Sequence, residues 1–268
     1  MTQISTHDRK SIPGIRNMLA VSSGKGGVGK STISANIAVA LGIAGLRIGL
    51  MDTDIYGPNI PGILGSHDRP VSNPETGLIK PIEAHNIKFI SMGLLVEDGS
   101  PVIWRGPMLA KMIHQFLSNV DWGELDILIA DLPPGTGDVQ LTLTQSAPLT
   151  GAIIITTPSA IALEDVRRGV EMFRQAEVPI FGLVENMSTF QCDACGHNEH
   201  LFGHGLTKST AKELDIPFLC DIPLDITLRK CADEGLPAVI DQPSADGSQV
   251  ITQLANDVIA YLEKKNSN

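Results

Sequence analysis

At 268 residues and 28.6 kDa, 43% hydrophobic and 19% charged, the chain has the balance of a globular protein long enough to bury a full core. Twenty Lys and Arg against thirty Asp and Glu leave a formal charge of −10, which repels phosphate backbones and anionic headgroups and sets aside nucleic acid and membranes as partners. Four cysteines, no apolar run reaching the roughly 18 residues of a bilayer span, and no secretory leader in MTQISTHDRKSIPGIRN point to reduced thiols and a cytoplasmic location.

Residues 1–14 are expected to form a flexible lead into the first strand, and 1–268 as a whole a single domain. Apolar runs suited to buried strands follow at 19–21 (LAV), 46–52 (LRIGLMD), 87–92 (IKFISM), 126–131 (DILIAD), 152–157 (AIIITT), 180–186 (IFGLVEN) and 218–223 (FLCDIP). Between them, TISANIAVALGIAG (32–45) puts Ile33, Ile37 and Leu41 on one stripe, with Gly45 where a C-terminal cap belongs. MLAKMIHQFL (108–117) and EDVRRGVEMFRQAE (164–177) repeat the helical period, and 66–80 reads as a surface loop. The last helical stretch, 250–265, aligns Val250, Leu254, Val258 and Leu262 but carries only Lys264 and Lys265 as basic residues, unlike a membrane-binding helix. Strands alternating with helices are the signature of βαβ units. The expected fold class is therefore α/β, a doubly wound, mostly parallel sheet of about seven strands with helices on both faces.

GKGGVGKS, Gly24 to Ser31, satisfies the phosphate-loop pattern between a candidate strand and a candidate helix. Gly24, Gly26, Gly27 and Gly29 let the backbone N–H groups turn inward on phosphate oxygens, and the following helix adds the positive end of its dipole. Lys30 supplies a point charge to the β- and γ-phosphates and Ser31 a hydroxyl to Mg²⁺, so the stretch from Gly24 through Val28 to Thr32 is assigned to a nucleotide. Two strand ends carry acids. Asp131 closes DILIAD, where it can hold Mg²⁺, and the following LPPGTGD can sense a γ-phosphate; Asp52 and Asp54 close the strand before YGPN. Lys25 is a second lysine that a loop of this kind does not need for its own nucleotide.

With that extra lysine, GKGGVGKST resembles the deviant Walker A group of dimerising ATPases, which includes MinD, the ParA partition proteins and the nitrogenase iron protein. VIWRGPM (102–108), VDWGELDILIADLPPGTGD (120–138), VRRGVEMF (166–173), VENMSTFQCDACG (184–196), FGHG (202–205) and IPLD (222–225) together resemble the Mrp family of iron-sulfur cluster carriers, over roughly residues 12–262. The resemblance implies that Lys25 reaches across a dimer to the partner's phosphates. It places Asp54 near the attacking water, makes Asp131 the Mg²⁺-linked switch aspartate, gives Asn186 to the adenine base and Cys192 and Cys195 to the cluster. Two departures stand out: the cysteines enclose Asp193 and Ala194 where relatives often have a proline, and no extra N-terminal domain or cysteine motif is expected.

A cubane cluster takes four thiolates, and one CxxC supplies two. A two-fold homodimer would bring two copies of Cys192 and Cys195 together. The expectation is an ATP-dependent carrier with slow ATP hydrolysis, holding a cluster of the 4Fe-4S type across a homodimer. It would deliver that cluster to apo iron-sulfur proteins, with an assembly scaffold as a possible source. Two alternatives remain open: a zinc site within one chain from Cys192, Cys195, His200 and His204, and a MinD- or ParA-like nucleotide switch. Cys220 and Cys231 read as structural thiols, and His197 as a loop residue.

Overall fold

The computed structural model describes residues 11–55, 57–95, 106–192 and 194–267. The expectations for residues 1–10, for 102–105 of VIWRGPM and for Asp193 lie outside them. In chain order the elements are β1 (Ile15–Ser23), α1 (Lys30–Ile43), β2 (Ile48–Asp52), α2 (Ile60–Ile63), β3 (Ile82–Ala84), β4 (Ile87–Ser91), α3 (Gly106–Ser118), β5 (Leu125–Asp131), α4 (Asp138–Ser146) and β6 (Gly151–Thr156). They continue with α5 (Ala160–Gln175), β7 (Ile180–Asn186), β8 (Phe190–Gln191), β9 (Asn198–Glu199), α6 (Leu206–Glu213), β10 (Phe218–Ile222), α7 (Ile226–Glu234), α8 (Ala238–Asp241) and α9 (Asp246–Asn266).

Eight strands form the main sheet in the order β10-β7-β6-β1-β5-β2-β4-β3, parallel except for the last pair. The seven anticipated strands are present, and β3 is the eighth. Its three residues pair antiparallel with β4 through a turn in which His85 and Asn86 both have positive φ, 49° and 63°. Turns of this kind are usually marked by Asn-Gly or Asp-Gly, and without a glycine the sequence conceals one. β8 and β9 make a separate two-stranded hairpin beyond the end of β7.

Side chains alternate across β1, as a strand's period requires. Leu19 and Val21 enter one core with Ile37 of α1, Ile129 and Leu254 of α9; Met18 and Ala20 enter the other with Phe116 of α3, Leu128, Leu143 and Phe173. Helices therefore cover both faces. α1 is buried continuously from Ile33 to Gly42, well beyond the expected single stripe, because α2, α8 and α9 close over its outer side. A helix that is apolar nearly all round belongs in such a position. It ends as expected: Gly45 has φ 93° and Leu46 N donates to Leu41 O, the bond pattern of a Schellman cap. The apolar stripe of α9 is also core, with Leu254, Val258 and Leu262 buried. Among the described residues no helix is long and apolar enough to cross a membrane.

Candidate functional site

Every loop that carries a predicted site residue leaves the C-terminal edge of the parallel sheet, where open α/β sheets present their ligands. β1 runs into the loop at Gly24, and α1 starts at Lys30. Gly27 and Gly29 take left-handed φ values of 78° and 82°, which the reversal of the backbone demands. Gly24 is needed for space, since a Cβ there would collide with Asp165 of α5. Lys25 through Thr32 line one cavity of about 430 Å³, faced by Asp54 and walled by Asn59 and Ile63, by Met187 and by Ala232 and Asp233 of α7.

Asp131 sits beneath the loop at the end of β5, between Val21 of β1 and Asp52 of β2. It is fully buried, and its Oδ2 accepts from Lys30 Nζ at 2.6 Å and from Ser31 Oγ at 2.7 Å. Its Oδ1 accepts from Ser34 Oγ at 2.6 Å, while Thr53 N and Oγ donate to its main-chain oxygen at 3.0 and 2.8 Å. A buried ion pair survives only with its remaining lone pairs satisfied, and Ser31 and Ser34 do that here. Ser31 gives its hydrogen to Asp131 and accepts from Lys30 Nζ at 3.2 Å, which leaves one lone pair of its oxygen for a hard cation. A hydroxyl backed by a carboxylate suits Mg²⁺, which keeps several waters and takes phosphate oxygens. The donor set fits that ion.

Asp52 is the second buried acid. Ser91 Oγ and Asp54 N donate to it at 2.8 and 3.1 Å, yet burial first, and the neighbouring charge of Asp131 second, raise its pKa. Asp54 stands at the cavity and accepts from Gly57 N at 3.1 Å. Lys25 is half-buried on the cavity wall and makes no ion pair among the described residues. Asn186 ends β7 beside the phosphate loop. Its Nδ2 donates to Val28 O at 2.8 Å, and Met187 occupies the cavity wall.

Cys192 and Cys195 form a knuckle at the end of the β8–β9 hairpin. Cys192 N donates to His197 O at 2.9 Å, Gly196 N donates to Cys192 O at 2.8 Å, and Gly196 turns the chain at φ 70°. Cys192 is half-buried and Cys195 exposed. The four-ligand zinc arrangement is not assembled. His200 and His204 stack on each other with ring centroids 4.2 Å apart, and His200 Nδ1 lies 3.1 Å from Ser188 O. Among the described residues no three His, Cys, Asp or Glu side chains are placed to hold a metal. Burial, and then Asp221, push the Cys220 thiol up to about 12, and burial with Asp241 raises Cys231, so both are poor ligands, as expected of structural thiols.

Sequence reasoning missed Ser34, Asn59, Met187, Ala232 and Asp233. Ser34 carries a signal in hindsight, one helical turn after Lys30 and Ser31 on the face toward β5. Ala232 and Asp233 carry none, since only the packing of α7 brings them to the cavity.

Residues 14–259 match the ParA family described as the NUBPL iron-transfer P-loop NTPase. The chain is 48% identical to an iron-sulfur cluster carrier protein of Synechocystis sp., over 96% of its own length and 74% of that relative's. Among solved structures it is similar to a nucleotide-binding protein of Archaeoglobus fulgidus in complex with ADP, at TM-score 0.74 and 36% identity, covering 88% of this chain and 92% of that one. The cell division ATPase MinD of Pyrococcus furiosus has the same fold, at TM-score 0.69, 22% identity and 91% and 99% coverage.

Proposed function

Because the chain belongs to the ParA-type family of NUBPL iron-transfer P-loop NTPases, we propose that it is an ATP-dependent carrier that takes up an iron-sulfur cluster and delivers it to apo-proteins. The observation that carries the reading is a juxtaposition: Met187 on the wall of the phosphate cavity and Cys192 in the thiol knuckle are five positions apart on one continuous segment leaving β7. The name of the Synechocystis relative and the ADP of the Archaeoglobus structure support the two halves separately.

In this reading ATP enters the cavity with its phosphates against the N–H groups of Gly26 to Lys30. Lys30 Nζ exchanges its contact with Asp131 for the β- and γ-phosphates. Ser31 and Asp131 hold Mg²⁺, which neutralises charge on the phosphates when bound. Asp54 orients the attacking water, and Lys25, unpaired by any acid among the described residues, serves the partner's nucleotide in a homodimer. The cluster is cargo. Cys192 and Cys195 supply two thiolates, and the same pair of a second copy completes the four that a cubane takes. Hydrolysis is slow and tied to release of the cargo.

The test is transfer of a preloaded cluster to an apo-acceptor. Lys30→Ala should lower the ATP-stimulated rate to the nucleotide-free level, because the charge that meets the β- and γ-phosphates is gone. Transfer at the wild-type rate would sink the role of ATP.

A further inference from the structure

β7 ends at Asn186, and the next residue turns the chain sharply: Met187 has φ 58°, a left-handed conformation that residues other than glycine seldom adopt. Asn186 is 7% exposed, and its amide donates to Val28 O in the middle of the phosphate loop. The same amide lies so close over Gly29 that a Cβ there would overlap it. The height of the loop's last turn is thus set by one side chain at the end of β7. Beyond the turn, Ser188 N and Oγ donate to Ile222 O at 3.0 and 3.1 Å, and Leu224 N donates to Thr189 O at 2.9 Å. The base of the hairpin is therefore pinned to the end of β10, with the phosphate loop on one side of the pin and Cys192 on the other.

We propose that Asn186 is a positioning residue that links occupancy of the phosphate loop to the geometry of Cys192 and Cys195 within a single subunit, with Ser188 as the fulcrum. The proposal rests on the carrier reading for its purpose, and it differs from gating by the dimer interface because every contact in the link lies in one chain. When phosphate oxygens take the loop's N–H groups and Lys30 leaves Asp131, Val28 O shifts. A buried hydrogen bond tolerates little stretch, so Asn186 follows. Met187, already on the cavity wall, is pushed or released by the same ligand. Coupling of this kind is reciprocal: whatever nucleotide does to the thiols, occupation of the thiols does to nucleotide affinity by the same factor.

The experiment uses the full chain, reduced and free of cluster. Alkylation rates of Cys192 and Cys195 by iodoacetamide are read by mass spectrometry without nucleotide and at saturating ADP or a non-hydrolysable ATP analogue with Mg²⁺. Sedimentation velocity records the oligomeric state of the same samples. In the wild type nucleotide should change the rate at one or both cysteines by about fivefold or more, at the lower end of ordinary coupling factors, and Asn186→Ala should reduce that to under about twofold at its own saturating concentration. Met187→Gly keeps the left-handed turn but removes the side chain from the cavity wall, and it should weaken the response likewise. It decides the matter should Asn186→Ala not fold. A response that persists in both variants at matched oligomeric state overturns the proposal, as does a wild type indifferent to nucleotide. So does an Asn186→Ala response fully restored by adding more nucleotide, which would mark a role in affinity alone. Since no cluster is present, failure of iron uptake in a separate trial would count against the carrier reading and leave this result standing.

Discussion

Lys30, Ser31 and Ser34 all direct their polar hydrogens at Asp131, and Asp52 lies alongside with a carboxyl group that is also buried. Two acids this close to one lysine cannot both ionise cheaply. Desolvation, then Asp131, lift Asp52 to about 7, whereas the unfolded chain would hold an ordinary aspartate near 3.9. The folded state therefore binds the extra proton between about pH 4 and about pH 7, and the stability it contributes falls as pH rises through that window. Asp52→Asn keeps an acceptor for Asp54 N and cannot ionise. Its thermal midpoint should gain on the wild type's as pH is raised from about 5 to about 8; a constant gap would contradict the assignment. At this scale the sequence was legible where spacing encodes chemistry, as for Lys30, Ser31 and Asp131. It was silent where contact depends on fold, as for Ser34 and for the bond from Asn186 to Val28 O.

The elements were legible in proportion to their burial. β5 and β6 are continuous apolar runs, and their anticipated bounds fall within a residue or two of those observed. β1 begins four residues earlier than the apolar run at Leu19, because Ile15 and Asn17 still pair with Leu125 and Ile127 of β5. β3 escaped notice since three residues and a glycine-free turn leave no pattern to read. α9 was recognised as amphipathic, but its partner could not be, and the structure supplies it in α1. That assignment makes Leu254, 1% exposed, a core residue. Leu254→Ala should cost about 2–5 kcal/mol by chemical denaturation. A loss under about 0.5 kcal/mol, as at exposed sites, would return the stripe of α9 to the surface.

Across the molecule, the sheet sets β1, β5, β2 and β7 so that their C-terminal ends gather the phosphate loop, Asp131, Asp54 and the segment leading to the thiols. The fold and this convergence were legible because a phosphate loop requires a strand behind it and a helix ahead of it. The stacking of His200 on His204, with no three-ligand group among the described residues, was not, since both follow the thiols in sequence at spacings a metal site could use. In the proposed reading, the two thiolates of one chain are half of a cluster site that a second copy completes. The decisive measurement is anaerobic reconstitution with iron and sulfide, with metal analysis and sedimentation on wild type and Cys192→Ala. The account predicts about four irons per dimer in the wild type and none retained by the variant. One tightly held zinc per monomer, with no iron taken up, would contradict it.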